Sequence, residues 1–224
     1  MTLARDPILI MLIPLAYIVG SIPFGLIVGK ARGIDPRTAG SGNIGATNLG
    51  RLLGARYFAL VFILDLLKGA VPTLAAGAVI GFQVTDRQTG LLWMIVAAVA
   101  VIGHVCSIFL KFKGGKGVAT SAGAVLGVFP YFTFAAIAAL AVFYVVFRLT
   151  RYISVGSMAG ASSFPAAYIA IGLGRWPITG AQLPLLCFAS VFPLLLIFKH
   201  RTNIARLRAG TEPCYSPKTS CASR

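Results

Sequence analysis

Three short segments hold most of the side chains that could do chemistry, and the first two have the composition of an anion site. The first is Ser41-Gly42-Asn43-Ile44-Gly45-Ala46-Thr47-Asn48-Leu49-Gly50-Arg51, small polar residues with interleaved glycines and one guanidinium. Glycines let backbone N–H groups converge on an anion, Ser41 and Thr47 add hydroxyl donors, and Arg51 supplies a planar fork that bonds phosphate bidentately. The same residues read as a helix N-cap, with Ser41, Thr47 or Asn48 capping a helix from near Leu49; the readings agree, because a capped helix N-terminus also attracts anions. The second is Lys111-Phe112-Lys113-Gly114-Gly115-Lys116-Gly117-Val118-Ala119-Thr120, lysines and glycines placed directly before an apolar helix. Backbone donors, the helix dipole and ammonium groups would meet there, with Gly114, Gly115, Lys116 and Gly117 nearest the anion. A Walker A loop would need Gly at 110 and Ser or Thr at 117, where the chain has Leu110 and Gly117, so ATP is not implied.

The third segment runs from Lys199 to Glu212. If its helix continues past the last apolar stretch, His200, Asn203, Arg206 and Leu207 share a face, and His200 is the titrating group nearest neutrality there. Glu212 is the sole glutamate. Asp65 and Lys68, at i and i+3 inside an apolar stretch, are expected to pair with each other in a structural role, a proton or ion path being the functional alternative. His104 is assigned a structural, interhelical hydrogen bond. Five acids and two histidines in the whole chain leave no carboxylate cluster for a metal and no paired-carboxylate site. HxxxxD and GxSxG are absent, since Phe109 and Ala205 stand five positions after the two histidines. Cys106, Cys187, Cys214 and Cys221 have no CxxC spacing, so neither metal nor cofactor is expected. Chemistry on this chain should therefore lean on binding anions rather than on acids and bases.

The elements that position these segments belong in a bilayer. The chain is 58% hydrophobic and 11% charged, with a mean hydropathy of +0.87. Its net charge of +15 lies in short segments between apolar runs, which excludes the basic polar surface of a nucleic-acid binder. Apolar stretches cover Pro7 to Gly29, Tyr57 to Phe82, Leu91 to Leu110, Val118 to Phe147, Val155 to Gly174 and Ile178 to Phe198, the first reading as a span rather than a cleaved signal. The fourth is too long for one crossing, and Pro130 divides it into Val118 to Phe129 and Tyr131 to Phe147. About seven crossings then place Lys30 to Arg56, Lys111 to Lys116, Arg148 and Arg151, and Lys199 to Arg224 on one side, leaving Arg5, Arg87 and Arg175 on the other. The expected fold is an all-α polytopic membrane bundle, N-terminus outside and C-terminus cytoplasmic, with the polar segments meeting at the cytoplasmic mouth. A transporter of phosphorylated anions is the main rival, but its polar groups would lie nearer the midplane.

In this order, the SGNxGATNxxR, KFKGGKGxAT and HxxNIxRLxxGxE segments resemble the bacterial membrane family that acylates glycerol-3-phosphate from acyl-phosphate, as do Gly20-Ser21-Ile22-Pro23-Phe24-Gly25 and Gly103-His104. Cys106-Ser107 departs from the Phe-Pro-like pair expected after Gly-His. The resemblance implies a single membrane acyltransferase domain over residues 1–212, with a disordered tail over 213–224. It implies acyl transfer from acyl-phosphate to the sn-1 hydroxyl of glycerol-3-phosphate, an early step of phospholipid synthesis in the bacterial inner membrane. The implied partners are these two substrates, the lipid bilayer, and transient proteins of acyl-phosphate supply and of the second acylation. Residue by residue, Ser41, Thr47 and Arg51 would hold one phosphate, with Asn43 and Asn48 supporting the loop. Gly114, Gly115, Lys116 and Gly117 would hold the other, with Ser154 adding a donor. His200 and Asn203 would position the acceptor, and Glu212 would anchor the tail. His200 as base, or the substrate's own phosphate in that role, both remain open at this level.

Overall fold

The computed structural model describes residues 5–172 and 180–215. Among the described residues all regular structure is helical: α1 (Arg5–Ser21), α2 (Phe24–Lys30), α3 (Ala46–Leu53), α4 (Ala55–Val79), α5 (Arg87–Val105), α6 (Val118–Gly127), α7 (Thr133–Thr150), α8 (Ile153–Gly172), α9 (Leu183–Lys199) and α10 (Arg201–Arg208), with single 3-10 turns at Ile108–Leu110 and Gly180–Gln182. Asp6–Lys30, Ala55–Val79, Arg87–Leu110, Thr133–Thr150 and Gly180–Lys199 are long and apolar enough to cross a bilayer. Their outward faces carry Met11, Ile63, Leu149, Val191 and Leu194, all well exposed, as a lipid-facing surface requires.

The long apolar run divides around Pro130: α6 stops at Gly127, and the chain turns through Phe129-Pro130 before α7 starts at Thr133. The ten residues of α6 rise about 15 Å at 1.5 Å each, about half of a hydrocarbon core. The first span is likewise not continuous. It breaks at Ile22-Pro23, because a proline lacks the N–H that would continue the ladder. The carbonyls released at the break are met inside the protein: Lys68 Nζ donates to Ile22 O at 2.7 Å, and Ser107 Oγ to Ser21 O at 2.6 Å. Tyr17 Oη donates to Cys106 O at 2.8 Å just past the end of α5. Ser107 thus has a defined task, pinning the end of α5 to the break in the first span. Lys68 also meets Asp65 Oδ1 at 2.7 Å, both nearly fully buried, an arrangement that hydrocarbon tolerates only for paired ions.

Helix contacts run through small residues. α4 and α6 press together where a Cβ on Gly69 would stand 2.1 Å from Thr120 O, and one on Gly123 would stand 1.9 Å from Leu66 O. This closeness sets the height of α6, and therefore of the Lys111–Gly117 loop that feeds it. Aromatic rings fill the other end, with Phe132 edge-on to Phe164 and Tyr168, and Trp93 Nε1 donating to Thr73 O at 2.8 Å. Gly69→Ala is expected to destabilise the detergent-solubilised protein by about 1–3 kcal/mol through overpacking. Gly180→Ala, where a Cβ meets nothing within 4 Å, should leave the melting temperature unchanged.

Candidate active site

The first polar loop is built around Asn48, which is 1% exposed. Its Nδ2 group donates to Pro36 O, Ala39 O and Asn43 O at 3.0, 3.0 and 2.8 Å, while its Oδ1 accepts from Ser41 N at 2.9 Å. One amide side chain thereby supplies the ladder that a loop lacks. Asn43 Oδ1 accepts from Gly45 N at 2.8 Å and shapes the entry to α3. That helix begins at Ala46, ahead of the Leu49 start expected from sequence, so Thr47 and Asn48 lie in its first turn and the extended Gly45 occupies the cap position without a side-chain cap. Arg51 lies one turn further on, its Nη2 donating to Pro213 O at 2.9 Å. On the solvent side Arg37 grips both oxygens of Asp35, which holds that carboxyl down at about 2.

The glycine-lysine loop folds back onto the end of α5. Gly114 N donates to Val105 O and Gly115 N to His104 O, both at 3.1 Å. The N–H groups of these two glycines, expected to meet phosphate, are therefore committed to holding the loop. Gly117, at φ +86°, turns the chain into α6 in a conformation that a residue with a Cβ rarely adopts. Lys116 is left pointing at the third segment, its Nζ 2.5 Å from Asn203 Oδ1. Burial lowers its ammonium to about 8, the nearby Arg206 and Arg51 adding to the effect and Glu212 opposing it.

In that third segment the helix does not run on: α9 ends at Lys199, and His200 forms the corner from which α10 leaves. The corner is pinned by His200 Nδ1, 2.8 Å from Leu196 O. A carbonyl can only accept, so Nδ1 carries the proton and Nε2 presents its lone pair. Burial holds the His200 pKa below its ordinary value, which keeps the ring neutral at pH 7. Glu212 collects the rest: Oε1 accepts from Ser154 Oγ at 2.8 Å and Asn203 Nδ2 at 2.6 Å, and Oε2 accepts from Arg206 Nε at 2.7 Å. Burial pushes this carboxyl up, but the three donors outweigh it and the net shift is downward. The Ser154 hydroxyl, expected to reach a phosphate, is spent on this carboxylate.

These pieces line one cleft of about 110 Å³. Ser41, Asn43, Thr47, Asn48 and Arg51 form one wall, Lys116 and Gly117 the second, and Ser154, His200, Asn203, Arg206 and Glu212 the third. Asp65 and His104, assigned from sequence to structural roles, also line it, as do Phe58, Phe62 and Phe143, whose apolar character gave no signal. Lys68 is not part of the lining. Pro213 and Tyr215, assigned from sequence to the tail, fold over the mouth: Tyr215 N donates to Arg151 O at 2.9 Å, and its ring lies against Phe58 and Phe147. Residues 216–224 lie outside the described residues.

Val118, Phe143 and Ser157 belong equally to a second cavity, of about 100 Å³, enclosed by Ala136, Ala139, Gly160, Phe164 and Phe192 among others and almost wholly apolar. The arrangement offers cations and a neutral imidazole at one end and an apolar recess at the other. It suits an anionic head group joined to, or meeting, a hydrocarbon tail.

Replacing Glu212 with Gln, which weakens three charge-assisted bonds at once, is expected to destabilise the protein by about 1.5–3 kcal/mol. The native Glu212 pKa is depressed, so this stability is present at neutral pH and lost as pH falls below about 4.5 and through the depressed value. Thermal melts between pH 7 and pH 3 should show the gap between wild type and Glu212→Gln narrowing.

Residues 10–210 match the family model described as glycerol-3-phosphate acyltransferase. A glycerol-3-phosphate acyltransferase of Geobacter sulfurreducens is 45% identical over 206 residues, covering 91% of this chain and 95% of the relative, and one of Geotalea daltonii is 42% identical over 203 residues with the same coverage. Crystal structures of PlsY (YgiH), an integral membrane glycerol 3-phosphate acyltransferase, superpose with TM-scores of 0.79 for the glycerol 3-phosphate form and 0.77 for the lysophosphatidic acid form. Their identities are 37% and 36%; each match covers 93% of this chain and, respectively, 96% and 95% of the other. Their helical membrane architecture is also this chain's, and the polytopic chain with its three-walled, cation-lined cleft belongs to the glycerol-3-phosphate acyltransferase family.

Proposed function

We propose that the protein transfers a fatty acyl group from acyl-phosphate to the sn-1 hydroxyl of glycerol-3-phosphate, giving 1-acylglycerol-3-phosphate and inorganic phosphate. The observation that carries this reading is the junction of the two cavities at Val118, Phe143 and Ser157, which lets one ligand place its phosphate among Arg51, Lys116 and Arg206 and its tail among apolar side chains. The solved relatives, described as a glycerol 3-phosphate form and a lysophosphatidic acid form, support the same acceptor and product.

In this scheme Ser41, Thr47 and Arg51 hold one phosphate, with Asn43 and Asn48 as scaffold. Lys116 answers the other phosphate, with Gly114, Gly115 and Gly117 fixing its position. Arg51 exchanges a neutral carbonyl partner, Pro213 O, for a charged one when substrate enters. His200 Nε2 accepts the acceptor's primary hydroxyl, and Asn203 keeps Lys116 aligned. As the new ester C–O bond forms at the acyl carbon, the hydroxyl proton passes to His200 and the C–O bond to phosphate breaks; His200 then returns the proton to the departing phosphate. An acyl-phosphate is a mixed anhydride with a stable anionic leaving group, so the site needs positioning and cations more than strong acid catalysis. The cation-rich segments support seven crossings, with the N-terminus outside and the cleft on the cytoplasmic face of the bacterial inner membrane. Acyl-phosphate would reach it from proteins of donor supply, and its product would leave to a second acylation.

Purified protein incubated with radiolabelled glycerol-3-phosphate should form labelled lysolipid from palmitoyl-phosphate. Product from palmitoyl-CoA or an acyl carrier protein thioester instead would overturn the donor assignment, and no product from any of the three would overturn the reading as a whole. A second expectation concerns Lys116, which loses its charge above about pH 8 in the free protein. The kcat/KM for glycerol-3-phosphate should fall tenfold per pH unit above that value. In Lys116→Arg, which stays charged, the fall should move up by more than one pH unit or vanish.

A further inference from the structure

Beneath the turn that carries Lys116 lies a polar pair that the reaction scheme leaves unused. His104 and Asp65 both line the cleft, at 4% and 3% exposure. Asp65 Oδ1 is ion-paired with Lys68, and Lys68 is in turn anchored to the broken first span through Ile22 O. His104 Nδ1 faces the same carboxylate oxygen at 3.7 Å, beyond hydrogen-bond reach, and has no hydrogen-bond partner. A buried ring nitrogen left unsatisfied is costly, so its retention at a cleft wall asks for a ligand atom. The ring cannot swing away through the loop: a Cβ on Gly115 would stand 2.3 Å from His104 Nε2, so loop backbone closes that side.

The chemistry of the missing partner follows from its two neighbours. A phosphate oxygen would be repelled by Asp65, and an ammonium group would compete with Lys68 for the one carboxylate. A hydroxyl satisfies both sides, donating its hydrogen to Asp65 and accepting from Nδ1–H of His104. Both atoms are fully buried, and a single oxygen about 2.8 Å from each would bridge their 3.7 Å separation once the two side chains part to admit it from the cleft. The phosphate-binding cations lie elsewhere in the cleft, on α3, α10 and Lys116. The three-carbon acceptor of the proposed reaction has one hydroxyl to be acylated, assigned to His200, and one left over.

We propose that Asp65 and His104 form a hydroxyl-recognition subsite that reads the middle hydroxyl of the acceptor, with Lys68 as the residue that positions Asp65. The subsite rests on the assignment of glycerol-3-phosphate as acceptor. It gives the site a means of rejecting phosphorylated alcohols that have the reactive primary hydroxyl alone, because a buried donor and acceptor built for a hydroxyl are left unpaired by an analogue without it.

The test compares kcat/KM for glycerol-3-phosphate and for 3-hydroxypropyl phosphate, which keeps the phosphate and the primary hydroxyl but lacks the middle one, at saturating palmitoyl-phosphate. Wild type is expected to favour glycerol-3-phosphate by at least about tenfold. His104→Leu should bring the ratio close to one, chiefly by lowering kcat/KM for glycerol-3-phosphate, and His104→Gln, which keeps a donor, should retain part of the discrimination. A wild-type ratio below about threefold overturns the subsite without recourse to any variant. So does a His104→Leu protein that loses activity equally toward both acceptors, since that is the signature of a residue that merely braces the Gly114–Gly115 turn. Absence of wild-type turnover with glycerol-3-phosphate is a different failure, of the acceptor assignment itself, and removes both.

Discussion

A single buried carboxylate holds the site together. Glu212 is 8% exposed, and an ionised carboxylate so placed is tolerable only if donors surround it. The donors it draws in come from separate parts of the chain: Ser154 at the start of α8, and Asn203 and Arg206 on α10. Asn203 then passes the constraint on to Lys116, through the oxygen of the same amide whose nitrogen is bound to Glu212. The charge that would meet substrate is thus located by a chain of contacts that begins at a residue with no chemical step of its own.

The bilayer imposes the complementary constraint on the other side of the cleft. Backbone groups freed by the Ile22-Pro23 break have no water to turn to, and the protein answers with Lys68, Ser107 and their neighbours. Once Lys68 is placed, Asp65 must neutralise it, and His104 and the glycine loop are stacked on that pair. Polar structure therefore reaches the cleft from two directions, from Glu212 at the aqueous side and from Lys68 within the spans. Between them the lining turns apolar at Phe58, Phe62 and Phe143, where a ligand's hydrocarbon would begin.

Much of this was legible in the residues. Long apolar runs gave the helical bundle, and Pro130 marked the division between α6 and α7, because a proline inside an apolar helix removes a hydrogen bond whatever surrounds it. Each motif segment contributes polar residues to the cleft: Ser41, Asn43, Thr47, Asn48 and Arg51 from the first, Lys116 from the second, and His200, Asn203, Arg206 and Glu212 from the third. What sequence did not disclose depended on tertiary geometry. The break at Ile22-Pro23 falls inside an apolar stretch that reads as one span, and a proline alone does not settle the matter, since α4 accommodates Pro72 without interruption. The commitment of the Gly114 and Gly115 N–H groups to the end of α5 required knowing how the loop folds back. The cleft-facing position of Asp65 could not be read from its i, i+3 spacing to Lys68, nor that of His104 from its place near the end of α5, because sequence fixes the helix but not the direction each face takes. The ordered course of the chain through Pro213 to Tyr215 was hidden because a short polar stretch carries no periodicity.

The closing position of Glu212 has a consequence for how the protein comes into being. Every described helix precedes it in the chain, so these helices are synthesised and can be inserted while the cleft still lacks its organising carboxylate. Until that residue emerges, Ser154, Asn203 and Arg206 have no common partner and Lys116 has no fixed one. The contacts that join Ser154, Asn203 and Arg206 are thus the last of the cleft that synthesis can supply, made by the short segment after α10.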